Sequence, residues 1–127
     1  MSRVTSLGEA FVGTKSYINL TVKIIKQVRA KQFLVADATG YRKIEVCGVV
    51  PHKHKKNIRE QNYVKIESAE VDHNNRKIFL VMNTRIFNIR EFAVDETKPA
   101  KVCIFLFTII KMNYKRIPTN YRIIHIH

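Results

Sequence analysis

Five cations and four flat or soft side chains are the residues of this chain that could do chemistry. Lys23 and Lys43 fall at outward positions of alternating apolar/polar runs, Arg29 and Lys31 flank a short basic connection, and Arg76 ends a polar turn. Leu34, Cys47 and Phe79 share the outward phase of their own runs, and Tyr41 begins one. Ammonium and guanidinium heads arranged in this way bind phosphate oxygens through charge-assisted hydrogen bonds. Such contacts supply affinity without reading a base sequence. Aromatic faces beside them would stack bases. Each residue also has a plainer reading: solvated charge for the cations, and cover for the end of a sheet for Tyr41 and Phe79. Lys53, Lys55 and Lys56 form a run whose plainer reading is a solvated loop.

Covalent chemistry has no comparable set of residues. The chain has no Gly-rich phosphate loop, no nucleophile elbow and no readable pair of carboxylates, so it is expected to be no enzyme and to need no cofactor or small-molecule substrate. Asp37 is the best-placed carboxylate, yet an Asp two residues before Thr39-Gly40 usually accepts local backbone hydrogen bonds, and a structural role is expected. His52-x-His54 and His125-x-His127 could each touch a metal, but neither has a thiolate or carboxylate nearby to complete a shell. No metal is expected. Cys47 and Cys103 read as reduced thiols rather than a disulfide framework.

The charge balance narrows the partner. With 23 Lys and Arg against 10 Asp and Glu in 127 residues, the formal net charge is +13. That excess favours a polyanion, either nucleic acid or an anionic membrane, over an acidic protein; the alternative is a generic basic surface. The first residues lack the apolar stretch of a signal peptide, and the apolar run Val102 to Ile110 is too short to cross a bilayer. A soluble, intracellular protein without a membrane partner is expected.

These residues must be positioned by strands. Ile18, Leu20, Val22 and Ile24 alternate with Asn19, Thr21, Lys23 and Ile25, which predicts a long first strand over Tyr17–Val28 with an apolar inner face. Gln32–Ala38 reads as a second strand, Thr39-Gly40 as its turn and Tyr41–Val50 as a third. Pro51 stops the sheet, and 52–62 is polar enough for a loop or one short helical turn. Tyr63–Val71 reads as a fourth strand, Asp72–Arg76 as a hairpin tip, and Lys77 to about Phe87 as a fifth. Residues 1–16 are a lead-in. Five strands with a break after the third predict an all-β, five-stranded Greek-key OB-fold barrel over 1–95, followed by a C-terminal extension over 96–127. An SH3-like barrel is the rival for five short antiparallel strands.

Val35-Ala36-Asp37-Ala38-Thr39-Gly40 resembles the V-A-D-x-T-G hairpin of replication-protein-A-type OB domains. Asn62 to Ile66, Ile78 to Val81 and Ile89 to Phe92 extend the likeness, over roughly 5–95, to the SOSS-B family, the single-stranded DNA-binding members of the SOSS complex. The resemblance implies single-stranded DNA binding in the DNA-damage response, a nuclear location, and larger SOSS-type protein subunits as partners. Two alternatives stand beside it: a scaffold protein of such a complex that binds nucleic acid weakly, and an RNA-binding OB domain. The chain departs from the family where that family stacks bases. The strand-three tryptophan falls at Cys47, other aromatics fall near Glu70, Asn74 and Val81, and the chain has no Trp. Each lost platform is worth about 1–3 kcal/mol per base.

The extension is different in character. It carries Lys101, Lys111, Lys115, Arg116 and Arg122 with no acidic residue after position 100, and Ile104-Phe105-Leu106-Phe107 would need covering.

Overall fold

The computed structural model describes residues 3–100; Cys103, Ile104–Phe107, the His125/His127 pair and the five cations of the extension lie outside the described residues. Six strands make one sheet: β1 (Tyr17–Arg29), β2 (Gln32–Asp37), β3 (Gly40–Val46), β4 (Tyr63–Asp72), β5 (Lys77–Leu80) and β6 (Arg85–Asn88). A short helix α1 (His52–Lys55) follows β3 where Pro51 ends the sheet, and a 3₁₀ turn, Leu7–Glu9, precedes β1.

The order β1-β2-β3-β5-β4, with β4 pairing back onto β1, closes a five-stranded barrel. All its pairings are antiparallel except the short parallel contact of Glu45-Val46 with Phe79-Leu80. A mixed closure of five Greek-key strands in this order is the OB-fold. An SH3-like barrel is set aside by it. β6 lies outside the barrel, against the first half of β4.

Alternation fills the interior. Leu20, Val22 and Ile24 of β1 meet Val35 of β2, Ile44 of β3, Val64 and Ile66 of β4, and Ile78 and Leu80 of β5, all with no accessible surface. Burial of each such side chain contributes about 1.5–3 kcal/mol before entropy is counted. Phe33 belongs to the same cluster, as its sequence phase requires.

Three expectations need correction. The predicted fifth strand is two strands: Lys77–Leu80 swings to β3 to close the barrel, and Arg85–Asn88 returns to β4. Buried Thr84 fixes the corner between them, its hydroxyl accepting from the Val81 N–H at 2.8 Å and donating to the Ser68 carbonyl at 3.0 Å. The third strand ends at Val46 rather than Val50, because Gly48 has a φ of 77° and turns the chain out of the sheet. The lead-in is a plug: Leu7 is fully buried and Ala10 is nearly so, closing one end of the barrel.

The polar segment after Pro51 does form a single helical turn, although Val50 and the half-buried Ile58 anchor it to the core. Contacts with the barrel continue past residue 95. Tyr41 donates to the Lys98 carbonyl at 2.9 Å and Ala100 donates to the Tyr41 carbonyl at 2.7 Å, so 98–100 lies along the start of β3.

Gly40 makes that approach possible. Its φ is 131°, and a Cβ there would sit 2.5 Å from the Lys98 carbonyl oxygen and 2.7 Å from the Ala100 nitrogen. Asp37, at the start of the same turn, does what its position predicts. Its carboxylate accepts from the Leu7 N–H at 2.7 Å and the Thr39 N–H at 2.8 Å, and from the Thr39 hydroxyl. Thr39 in turn accepts from the Gly8 N–H at 2.9 Å, tying the plug to the hairpin.

Candidate nucleic-acid interface

Strand pairing arranges the outward residues in lateral rows across β1, β2 and β3. One row is Lys23, Ala36 and Tyr41; the next is Lys26, Leu34 and Lys43; the third is Arg29, Gln32 and Glu45, continued by Phe79 on β5. Adjacent strands lie about 4.8 Å apart, so members of a row are immediate neighbours. The second and third rows border a hollow of about 410 Å³. Leu34, Tyr41, Arg42, Lys43, Arg76 and Lys77 line it, with Glu45 as its one carboxylate. Cations outnumber carboxylates in this lining by four to one among the described residues.

The predicted residues divide over this surface. Leu34, Tyr41, Lys43 and Arg76 come together around the hollow. Arg29 and Phe79 sit in the row beside it, Arg29 exposed and Phe79 half-buried. Cys47 is exposed just past the end of β3, its N–H bonded to the Leu80 carbonyl, and lines none of the hollow. Lys31 faces elsewhere: with Lys55 of α1 it borders a separate hollow between the β1–β2 turn and the helix.

Lys23 is on the outward face but already engaged. Its ammonium lies 2.7 Å from a Glu96 carboxylate oxygen, and its side chain is only 14% exposed. The hydrogen bond to Glu96 raises its pKa, against a smaller opposing effect of burial. The segment after β6 explains this cover. Ile89 donates to the Tyr63 carbonyl, Phe92 meets the Tyr63 ring edge-on at 5.2 Å, and Asp95 donates to the Asp37 carbonyl. The chain therefore runs across the Tyr63–Lys23–Ala36 row, and Ala36 has no accessible surface.

Three cations of the open face were missed from the sequence. Lys26 is out of phase with Lys23 under strict alternation. The pairing of Ile24 with Val35 and of Lys26 with Leu34 leaves Ile25 unpaired, a bulge that shifts the strand's phase. The Ile24-Ile25 doublet was the available signal. Lys77 opens β5 and pairs with Glu45 at 3.2 Å. Arg42 has the inward phase of β3, between Gly40 and Ile44, yet sits at the barrel's mouth with its guanidinium 4.6 Å from the Phe11 ring centroid. Nothing in the local pattern places Phe11 there.

Two ion pairs touch the residues of this face, Lys23–Glu96 and Lys77–Glu45; among the described residues none involves Lys26, Arg29, Arg42, Lys43 or Arg76. The β4–β5 hairpin that carries Arg76 is held by Asp72, whose carboxylate accepts from the N–H groups of Asn74 and Asn75 and from the Asn75 side chain. Those bonds, the Asn75 side chain first, hold the Asp72 carboxyl below its ordinary pKa. Arg42 is shifted downward, first by burial and then by the charge of Arg76.

Among the described residues no group of three His, Cys, Asp or Glu side chains gathers closely enough to hold a metal. His54 instead accepts from the Ile86 N–H at 3.4 Å and meets the Phe87 ring edge-on. No helix among the described residues is long and apolar enough to cross a membrane.

No family model matches the chain, and no curated protein does. Among solved structures, the crystal structure of Schizosaccharomyces pombe Pot1pC bound to ssDNA (CGGTTACGGT) is similar to it at 11% identity, covering 70% of this chain and 88% of that one, with a TM-score of 0.47. A likeness at that level carries no argument about what this chain binds.

Proposed function

We propose that this chain is a non-enzymatic, single-stranded DNA-binding OB protein whose strand lies across β1, β2, β3 and β5. One observation carries the reading. Arg42, Lys43 and Arg76 line an open hollow with Leu34 and Tyr41, Lys26 and Arg29 stand in the rows beside it, and none of the five has a carboxylate partner among the described residues. Unneutralised cations on one face attract a phosphate backbone and release its counterions on binding. A single strand fits this face because its bases can turn toward Tyr41 and Phe79, whereas a duplex keeps them stacked inside. With two aromatic platforms on this face among the described residues, phosphate contacts carry most of the affinity. The genome-maintenance role, the nuclear location and the SOSS-type partner subunits belong to this proposal through the sequence resemblance alone.

The test is a titration of labelled oligo-dT and of a matched duplex across a salt series. Oligo-dT is expected to bind more tightly, with log K falling by about 0.7 per phosphate contacted for each decade of salt. Lys26→Glu with Lys43→Glu is expected to lower the affinity at least about tenfold with an unchanged melting temperature, since both side chains are exposed. Equal affinity for duplex, or unchanged binding by the double variant, refutes the proposed face. Substituting oligo-U for oligo-dT separates an RNA-binding domain from a DNA-binding one.

A further inference from the structure

Arg42 and Arg76 are an unusual pair for one protein to hold together. Arg42 donates to the Arg76 carbonyl at 3.4 Å, and both guanidiniums lie against the same ring, at 4.6 and 5.6 Å from the Phe11 centroid. Like charges this close repel, and stacking on one aromatic ring offsets only part of that cost. No carboxylate among the described residues reaches either one. The chain's ten Asp and Glu residues run from Glu9 to Glu96, so residues 101–127 have no acidic side chain to supply.

The donors are also incomplete. The Arg42 Nε–H is buried and has no hydrogen-bond partner among the described residues. A buried donor left in that state costs about 1–3 kcal/mol, more beside a charge. The surroundings are nevertheless well fixed. Phe11 is held edge-on by His73 at 6.1 Å, His73 Nε2 lies 2.7 Å from the Lys15 carbonyl oxygen, and the Asp72 bonds set the hairpin tip. A pair of guanidinium forks with spare N–H groups at the rim of a hollow matches an anion that offers several oxygens.

We propose that Arg42 and Arg76, stacked on Phe11, form the anchor for one backbone phosphate of the bound strand. This deepens the proposed function and rests on it. The anchored phosphate lies beside Tyr41 and Leu34, which line the same hollow, so it fixes where along the strand the first stacked base falls. Lys26, Lys43 and Arg29 contact the strand as point charges or single forks. The arginine pair positions it.

The experiment measures oligo-dT affinity against salt for the full chain and for Arg76→Asn, Arg42→Lys and Arg42→Gln. Asn suits the positive φ of 54° at position 76, and Arg42→Lys retains the charge if Arg42→Gln proves too unstable to assay. Arg76→Asn and Arg42→Gln are each expected to weaken binding about tenfold and to reduce the salt slope by up to about 0.7, the share of one phosphate. Arg42→Lys is expected to weaken binding while keeping the slope, because a point charge loses the fork but not the counterion release. A wild-type chain that binds oligo-dT while every variant keeps its affinity and slope overturns the anchor and leaves the function standing. A wild-type chain that does not bind removes the proposed function, and the anchor with it.

Discussion

Asp37→Ala tests how the plug is fastened to the barrel. Asp37 is 6% exposed, and its carboxylate satisfies two backbone donors, Leu7 N–H at 2.7 Å and Thr39 N–H at 2.8 Å, besides the Thr39 hydroxyl. Alanine strands the Leu7 donor in a buried site and the Thr39 donor in a half-buried one. A stranded buried donor costs about 1–3 kcal/mol, and hydrogen bonds to a charged acceptor are the stronger kind. The substitution is therefore expected to cost about 2–4 kcal/mol, because the hydroxyl of Thr39 can rotate to another acceptor and adds little. For a folded unit of this size each kcal/mol lowers the melting temperature by about 4–8 °C, so a drop of roughly 8–32 °C is expected.

Urea unfolding followed by circular dichroism measures the free energy directly. The midpoint should fall with little change in slope, since the core strands remain and only the plug loosens. Amide exchange at Leu7 and Gly8 should accelerate more than exchange at Val22 or Val64, which pair with each other in the barrel wall. Asp37→Asn retains one oxygen as acceptor and is expected to cost about half as much. A loss below about 0.5 kcal/mol in Asp37→Ala, with Leu7 exchange unchanged, refutes the role given to this carboxylate.

Two further outcomes follow from the same contacts. Gly40→Ala places a Cβ against backbone atoms of 98–100 and into a φ that side chains avoid, so it is expected to cost more than about 1 kcal/mol and to speed exchange at the Tyr41 and Ala100 amides; protection retained at both would show that the segment does not depend on this approach. The Asp72 and Asp95 carboxyls are both held below their ordinary pKa, Asp72 chiefly by Asn75 and Asp95 chiefly by Thr97. A depressed pKa favours the folded state once the unfolded carboxyl has ionised, so this stability is complete above about pH 5 and fades as pH falls below about 4; a melting temperature flat from pH 6 to pH 3 would contradict it.

Local chemistry in the sequence was enough for the barrel's inner face and its turns. The alternation of Ile18 to Ile24, of Phe33 and Val35, and of Val64 and Ile66 has period two, and side chains of a strand can only follow it. The Asp37-to-Gly40 turn is likewise marked within a few residues, because Asp37 bonds the Thr39 N–H and hydroxyl and the φ at position 40 favours glycine, although Asp37 and Thr39 also bond the distant Leu7 and Gly8. The break in the fifth strand was hard to read, since between Lys77 and Phe87 Asn83 is the one turn-favouring residue. Only barrel closure, which pulls Phe79-Leu80 onto β3, forces the corner at Thr84.

The candidate face was legible in kind and not in membership. Lys43, singled out by outward phase, and Arg76, singled out at the hairpin tip, line one hollow with Leu34 and Tyr41. Lys26 required the bulge at Ile25, Arg42 required Phe11 folding over from the plug, and Lys23 required Glu96 to arrive from 73 residues away. The last two depend on contacts between segments distant along the chain, and the bulge depends on how β1 pairs with β2. Phase and composition are properties of a residue and its immediate neighbours, so they determined which side chains are charged and which lie inside. Which charges stay open to a ligand is decided by what the rest of the chain covers, and that exists only once the barrel has closed.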